Sequence, residues 1–308
     1  MALRAGRRNE ASCFGSGAAG DAGMRRWLAR ASRRGALAPL LGPALRMAVD
    51  RHEVTLPGLQ APLRVAIVTD LHFGFGPSTA ARARAVRARV MAQGADLVLF
   101  LGDIAGGRRG PVKTARVDAG CLALAGYAAP LGCYAVLGNH DWDDDPEARE
   151  RRAGPNRASA LLAAQGWRVL ENAAADLGPA WIAGVASQRA FRSGPPGFRR
   201  HQGLDDLGTA LAGVPEGAPL ILMAHEPDLF PALPEGRALL MLSGHMHGGQ
   251  VRLFGRALVA PSRFGTRYAL GHFRRGPHQL VVAGGLGCST IPLRIGIEPS
   301  ITVLQLVP

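Results

Sequence analysis

Lysine is almost missing from this chain. Lys113 is the only one, so the formal net charge of +13 rests on arginine. Codon bias would explain that without any chemistry. Attraction to an anionic partner would explain it too: a phosphorylated substrate, an anionic membrane surface or a nucleic acid. No basic strand rich in aromatic residues, of the kind that stacks bases, is present, which argues against nucleic acid. Cysteine is also scarce. Cys13, Cys121, Cys133 and Cys288 lie far apart and form no Cys-x-x-Cys pair, which argues against a thiolate zinc knot. They are expected to be small buried thiols in a reducing compartment, hence in a cytoplasmic protein.

Long apolar runs are missing as well. The best, residues 36–49, contains two prolines and Arg46 and falls short of the ~20 residues that span a bilayer. It follows a basic stretch rich in Gly, Ala and Ser. A leader, an export signal and an interfacial anchor are all open for residues 1–50. The anchor ranks first, with Arg25, Arg26, Arg30, Arg33 and Arg34 turned toward anionic lipid at the cytoplasmic membrane.

What is present is a globular composition, 47% hydrophobic and 19% charged. With no internal repeat, it is expected to form one domain over residues 60–308 behind a leader over 1–59, and to work as a monomer. Residues 63–69 form the nearly continuous apolar run of a strand buried on both faces, and it ends in Asp70-Leu71-His72. The spacing of Ala83, Val86 and Val90 predicts a helix over 79–93, closed by Gly94. A second buried strand, 96–101, ends in Gly102-Asp103. Residues 134–137 lead into Gly138-Asn139-His140-Asp141. Helices are expected over 114–127, 149–165 and 204–211, and short strands over 167–170 and 181–185. Strands 219–224 and 238–243 end in His225 and in Gly244-His245-Met246-His247. The tail is expected to add strands near 279–283 and 301–307. The arginine- and proline-rich loop 187–203 is either a mobile neighbour of the active face or an uninvolved insertion. Strands alternating with helices predict a layered α/β fold.

Five apolar runs thus end in Asp70/His72, Asp103, Asn139/His140, His225 and His245/His247. Each alone has a plain structural explanation as a turn, cap or core histidine. Five at successive strand ends do not, because ligands in such sheets bind outside the carboxyl ends of strands. Oxygen and imidazole donors without thiolate suit Mn, Fe, Zn or Mg. Even with His140 set aside, the seven remaining donors exceed what one tetrahedral ion needs, so two divalent metal ions are implied, as in the clamp that supports in-line displacement at phosphorus. Asp103 can bridge the two through its two oxygens.

These motifs, in this order, resemble the calcineurin-like metallophosphoesterase superfamily over about residues 60–308. His225-Glu-Pro-Asp228, Gly248-Gly249-Gln250, Gly285-Leu-Gly-Cys-Ser289 and Pro292-Leu-Arg294 resemble its bacterial YaeI/YkuE-like branch, which includes membrane-associated enzymes of the UDP-2,3-diacylglucosamine hydrolase type. The resemblance implies a four-layer αββα sandwich. It implies one metal held by Asp70, His72, Asp103 and His247, and a second by Asp103, Asn139, His225 and His245. His140 would be the catalytic imidazole, donating to a phosphate oxygen or protonating the leaving group. Asp141 would either orient it or belong to a solvated acidic turn with Asp143, Asp144 and Asp145. One departure stands out. Ile104-Ala105-Gly106-Gly107 replaces an acidic residue that many relatives carry there, which bears on loop geometry and substrate fit. The expected function is hydrolysis of a phosphodiester, pyrophosphate or phosphomonoester by metal-activated hydroxide, on a lipid-linked or nucleotide-linked substrate. A non-catalytic anion- or membrane-binding protein and a nuclease are the alternatives.

Overall fold

The computed structural model describes residues 46–106, 114–195 and 200–308. Cys13 and residues 36–45 of the apolar stretch 36–49 lie outside them. Two six-stranded sheets carry the fold. The first runs β1 (Ala48–Thr55), β16 (Ser300–Val307), β2 (Leu63–Val68), β3 (Leu97–Phe100), β4 (Cys133–Ala135), β5 (Arg168–Val169). The second runs β14 (Gly271–Arg275), β15 (His278–Val282), β11 (Leu240–Ser243), β10 (Leu220–Ala224), β7 (Trp181–Val185), β6 (Ala173–Asp176).

Period-two alternation decides which layer each side chain joins. In β2 and β3, Val65, Ile67, Leu97 and Leu99 turn toward the second sheet, where they meet Ile221, Met223, Leu240 and Leu242. Ala66, Val68, Val98 and Phe100 turn the other way, against Val86 and Val90 of α1 (Ala80–Met91) and Val117 and Cys121 of α2 (Thr114–Ala123). On the outer face of the second sheet, Leu222 and Met241 pack with Phe230, Tyr268 and Ala210 of α6 (Leu207–Leu211). Helix, sheet, sheet, helix is the expected αββα sandwich. Three described cysteines are buried free thiols, and burial pushes Cys121 up to about 12 and Cys133 to about 11. No helix among the described residues is long and apolar enough to cross a membrane.

Three expectations need correction. The helix expected over 149–165 is two helices, α4 (Pro146–Arg151) and α5 (Arg157–Ala164). Pro155 bars Gly154 from continuing a helix, and the side chains of Asp145 and Asn156 each cap a new start. The loop expected over 187–203 contains an antiparallel pair, β8 (Phe191–Ser193) with β9 (Arg200–Gln202). The leader does not extend to residue 59, because β1 runs parallel to β16 from Ala48–Ser300 to Thr55–Val307, and Val54 and Leu56 enter the core between the sheets. That strand mixes Asp, Arg, His and Glu with its apolar residues and is mostly half-buried, so it offers no continuous apolar run to read. Its removal would bare the backbone edge of β16.

A chain beginning at residue 60 is therefore expected to unfold at lower temperature than one beginning at Arg46. A loss of even about 2 kcal/mol would lower the midpoint by roughly 4–8 °C, readable by calorimetry. Equal midpoints would remove β1 from the stable fold.

Candidate metal centre

β2, β3 and β4 are parallel neighbours, as are β10 and β11, so their carboxyl ends open along common edges. Main-chain bonds continue the pairing beyond the strands. Asp70 N–H donates to Gly102 O at 2.9 Å, His72 N–H to Asp103 O at 3.1 Å, and Gly244 N–H to His225 O at 3.0 Å. The donors thereby gather in two groups that join the sheets, Asp70 with His72 and His247, and Asp103 with His225 and His245, and a third, His72 with Asp103 and His140, overlaps them; in each, the ligand atoms lie within 4.8 Å of one another.

Asp103 lies between the groups. Its Oδ2 is 3.6 Å from His72 Nε2 and 3.4 Å from His225 Nε2. His72 Nε2 and His247 Nε2 are 3.0 Å apart, and Asp70 Oδ1 is 3.4 Å from His247 Nε2. His225 holds Nδ1–H toward Leu101 O at 2.5 Å, and His245 holds Nε2–H toward Pro261 O at 3.1 Å. Their other nitrogens face each other at 3.2 Å, a contact that only a shared positive charge makes favourable. Asn139, first residue of α3 (Asn139–Asp143), has a buried Oδ1 that accepts no hydrogen bond.

Electrostatics point the same way. Burial pushes the Asp70 carboxyl up to about 6 and the His72 imidazole down to about 3. Burial also opposes charge on Asp103 and His225, but each outweighs it for the other: Asp103 is held well below the carboxylate range and His225 well above the imidazole range. The negative potential that draws a proton to His225 would equally draw a divalent cation. With hard and borderline donors and an orphaned buried oxygen, the residues fit a metal centre.

The backbone is shaped for it. Asp70, His72, Asp103, His245 and His247 all have positive φ, between 43° and 66°. The two motif glycines leave room that no other residue would. A Cβ on Gly138 would meet the Asp103 carboxylate and lie 2.8 Å from the His225 ring, and one on Gly244 would lie 2.7 Å from Asp70 Oδ2.

Comparison with known proteins agrees with this geometry. The calcineurin-like phosphoesterase profile matches residues 63–249, the span that carries all five strand ends. This chain belongs to that family. It stands among metal-dependent phosphoesterases, and similarity supports the expected branch. The metallophosphoesterase YkuE of Bacillus subtilis (strain 168) is 30% identical over 215 residues, 68% of each chain. A metallophosphoesterase of Helicobacter pylori (strain ATCC 700392 / 26695) is 26% identical over 265 residues, 85% of this chain and 65% of that one. A transmembrane protein with metallophosphoesterase domain of Danio rerio is 28% identical over 263 residues, 82% of this chain. This chain spans about two thirds of the bacterial relatives' length and 54% of the fish protein's.

Around the phosphoesterase site, two groups differ from expectation. Asp141 neither orients His140 nor sits in a solvated turn. It is buried and accepts the backbone N–H groups of Asp103, Ile104 and Gly138 at 2.8–2.9 Å, binding the two ligand loops together. Asp144 faces the His140 ring instead, Oδ2 to Nδ1 at 3.0 Å, one helical turn on. Asp143 pairs with Arg192, and Asp145 caps α4, so this acidic run is engaged throughout. Gly106 lies against His140; a Cβ there would be 2.7 Å from the ring. The 187–203 segment touches the site at its root, where Glu226 accepts from Ser187 Oγ and Gln188 N–H and Arg189 donates to Pro261 O.

Arg294 had no assigned role beyond its motif. It is wholly buried and donates to Gly287 O through Nε at 2.9 Å, to Gly284 O at 2.8 Å and to His247 O at 3.3 Å. It clamps the 284–287 turn, which packs on Asp70, to the His247 turn. A periodicity reading cannot find such a residue, because arginine is expected at the surface.

Arg294→Lys keeps the charge but loses the planar set of donors. It should remain folded by circular dichroism and bind Mn about 10–100-fold more weakly by equilibrium dialysis, the range for residues that orient metal ligands. Unchanged affinity would assign Arg294 to stability alone.

Proposed function

We propose that Asp70, His72, Asp103 and His247 hold one divalent cation, that Asp103, Asn139, His225 and His245 hold another, and that the pair serves phosphoester hydrolysis. The observation that carries this is the meeting of two donor groups at the single carboxylate of Asp103. Bound there, two cations would polarise the phosphoryl oxygens and bring the pKa of water toward neutrality.

The chain's own residues do the rest. His140 is half-buried at the rim, with its ring 5.3 Å from that of His72. Burial works against its charged form, but Asp103 and then Asp144 outweigh burial and raise its pKa. Asp144 accepts the Nδ1 proton, which leaves Nε2 to donate to a phosphoryl oxygen or to protonate the departing one. Asp141 keeps the Asp103 and Gly138 loops in register.

For the substrate we favour a phosphodiester or pyrophosphate linked to a nucleotide or lipid, UDP-2,3-diacylglucosamine being one such compound. Support comes from a cleft of about 500 Å³ lined by Arg189, His201, Pro261 and Arg263. It adjoins the centre through Pro261, whose carbonyl accepts from His245. A second anionic group on the substrate would find cationic side chains there.

The purified chain should contain metal and turn over bis- or mono-p-nitrophenyl phosphate with added Mn. Absence of both metal and turnover would defeat the reading; metal without turnover would favour the anion-binding alternative. His140→Ala should keep its metal and lose turnover by about 10²–10⁴-fold, whereas His245→Ala should first lose metal. Because Asp144 raises the His140 pKa, Asp144→Asn should lower it. Activity that needs the protonated imidazole falls as pH rises through that pKa, so the alkaline limb of the profile should move to lower pH. An unmoved limb would separate Asp144 from His140.

A further inference from the structure

Seven large apolar side chains among the described residues stand open to solvent, and five of them gather at one place. Leu253, Phe254, Leu258 and Val259 belong to the hairpin of β12 (Arg252–Leu253) with β13 (Arg256–Ala257) or follow it directly. Ile291 is the fifth, in the loop whose carbonyl accepts from Gln250 at the hairpin's base at 3.0 Å. The tip is the notable position. Phe254 and Gly255 form its two-residue loop, both with positive φ, 49° and 76°. Such a turn favours Asn-Gly, and an aromatic residue at positive φ is strained. Phe254 is also fully exposed, at 104%. Neither turn chemistry nor packing accounts for it.

Along this stretch of chain the charge is of one sign. Between Glu235 and Glu298 the chain has no acidic side chain, while exposed Arg256, Arg263 and Arg267 stand on the hairpin and just after it. Asp228, which reaches this region, is buried and accepts from Ser262 Oγ and Arg263 N–H. An apolar tip on a stretch of chain whose charges are all cationic suits the interface of an anionic bilayer, where apolar side chains enter the acyl boundary and cations meet lipid phosphates.

We propose that this hairpin docks the protein on anionic phospholipid, with Phe254 and its apolar neighbours inserted and Arg256, Arg263 and Arg267 at the headgroups. Gln250 N–H donates to His247 O at 2.9 Å, so the hairpin grows directly from a turn of the metal centre. Docking would bring the centre to phosphoesters at the bilayer surface, a consequence that rests on the proposed function, whereas docking itself does not.

The test is co-sedimentation of the full chain with vesicles of phosphatidylcholine containing phosphatidylglycerol, against phosphatidylcholine alone. The wild type should bind the anionic vesicles, and less so at high salt. Phe254→Asn gives the turn a residue it favours, so its unfolding midpoint should not fall and its turnover of bis-p-nitrophenyl phosphate should not change. Its vesicle partition should drop at least about tenfold, which corresponds to about 1.4 kcal/mol. Met91→Asn, at an exposed apolar residue outside the hairpin, should bind as the wild type does. Wild-type binding by Phe254→Asn, or no binding by the wild type, overturns the proposal. So does a dimer in sedimentation velocity that Phe254→Asn dissociates while vesicle binding is unaltered, since a second copy would then cover the hairpin. Absence of turnover in the wild type, with the vesicle results as expected, would count against the phosphoesterase reading and leave the docking standing.

Discussion

The Asp103 carboxylate is 1% exposed, yet its surroundings keep it charged, and the ends of both sheets are arranged around that condition. Taking a carboxylate out of water costs several kcal/mol unless partners replace the solvent. Here the partners come from separate parts of the chain. The His140 N–H donates to Oδ1 at 3.0 Å from the end of β4, and the His72 and His225 rings approach Oδ2 from the ends of β2 and β10. No one of these strands could support the charge alone. The site therefore forms only when both sheets have formed and packed, which makes ligand geometry a property of the whole sandwich.

Backbone strain is the second consequence. Five of the seven proposed ligands occupy the left-handed region, at about 1–2 kcal/mol each for residues with a Cβ. A conformation so disfavoured persists only where neighbours over-determine it. They do so here. Asp70 accepts the His245 N–H, Asp141 accepts three N–H groups from the Asp103 and Gly138 loops, and Arg294 locks the His247 turn to the 284–287 turn. Strain of this kind turns each side chain inward at the point where a strand would otherwise carry it on past the site.

The parts legible in the sequence were those with a period or a chemical signature. β2, β3, β10 and β11 are continuous or nearly continuous apolar runs, and each stops at a polar donor, so both the layered fold and the donor set could be read from order alone. What escaped was whatever depends on partners far away in the chain. β1 is half-polar because it lies at an edge, and only its pairing with β16, some 250 residues on (Ala48 with Ser300), makes it a strand. Asp141 and Asp144 are both plausible companions of His140 on paper. A helix of only five residues separates their roles: residue 141 points back to the loops before it, and residue 144 falls one turn after His140. Arg294 violates the rule that arginine lies outside, and only the carbonyls of Gly284, Gly287 and His247 around it explain why it does not.

Two of the donor groups draw on both sheets: Asp70 and His72 meet His247 across the gap, and Asp103 meets His225 and His245. The spacing of those groups is consequently set by the apolar layer between the sheets, where Ile67, Leu99, Met223 and Leu242 are essentially without solvent exposure. Close-packed interiors transmit strain and do not deform gradually. A cavity there, such as Leu99→Ala would open, should cost the roughly 2–5 kcal/mol typical of buried leucine and also disturb ligands that touch none of the missing atoms. The loops outside that layer are under no such restraint. The 187–203 segment and the Phe254 hairpin are rooted beside the donor turns, through Glu226 and through Gln250, so they can vary without altering the geometry of the donors.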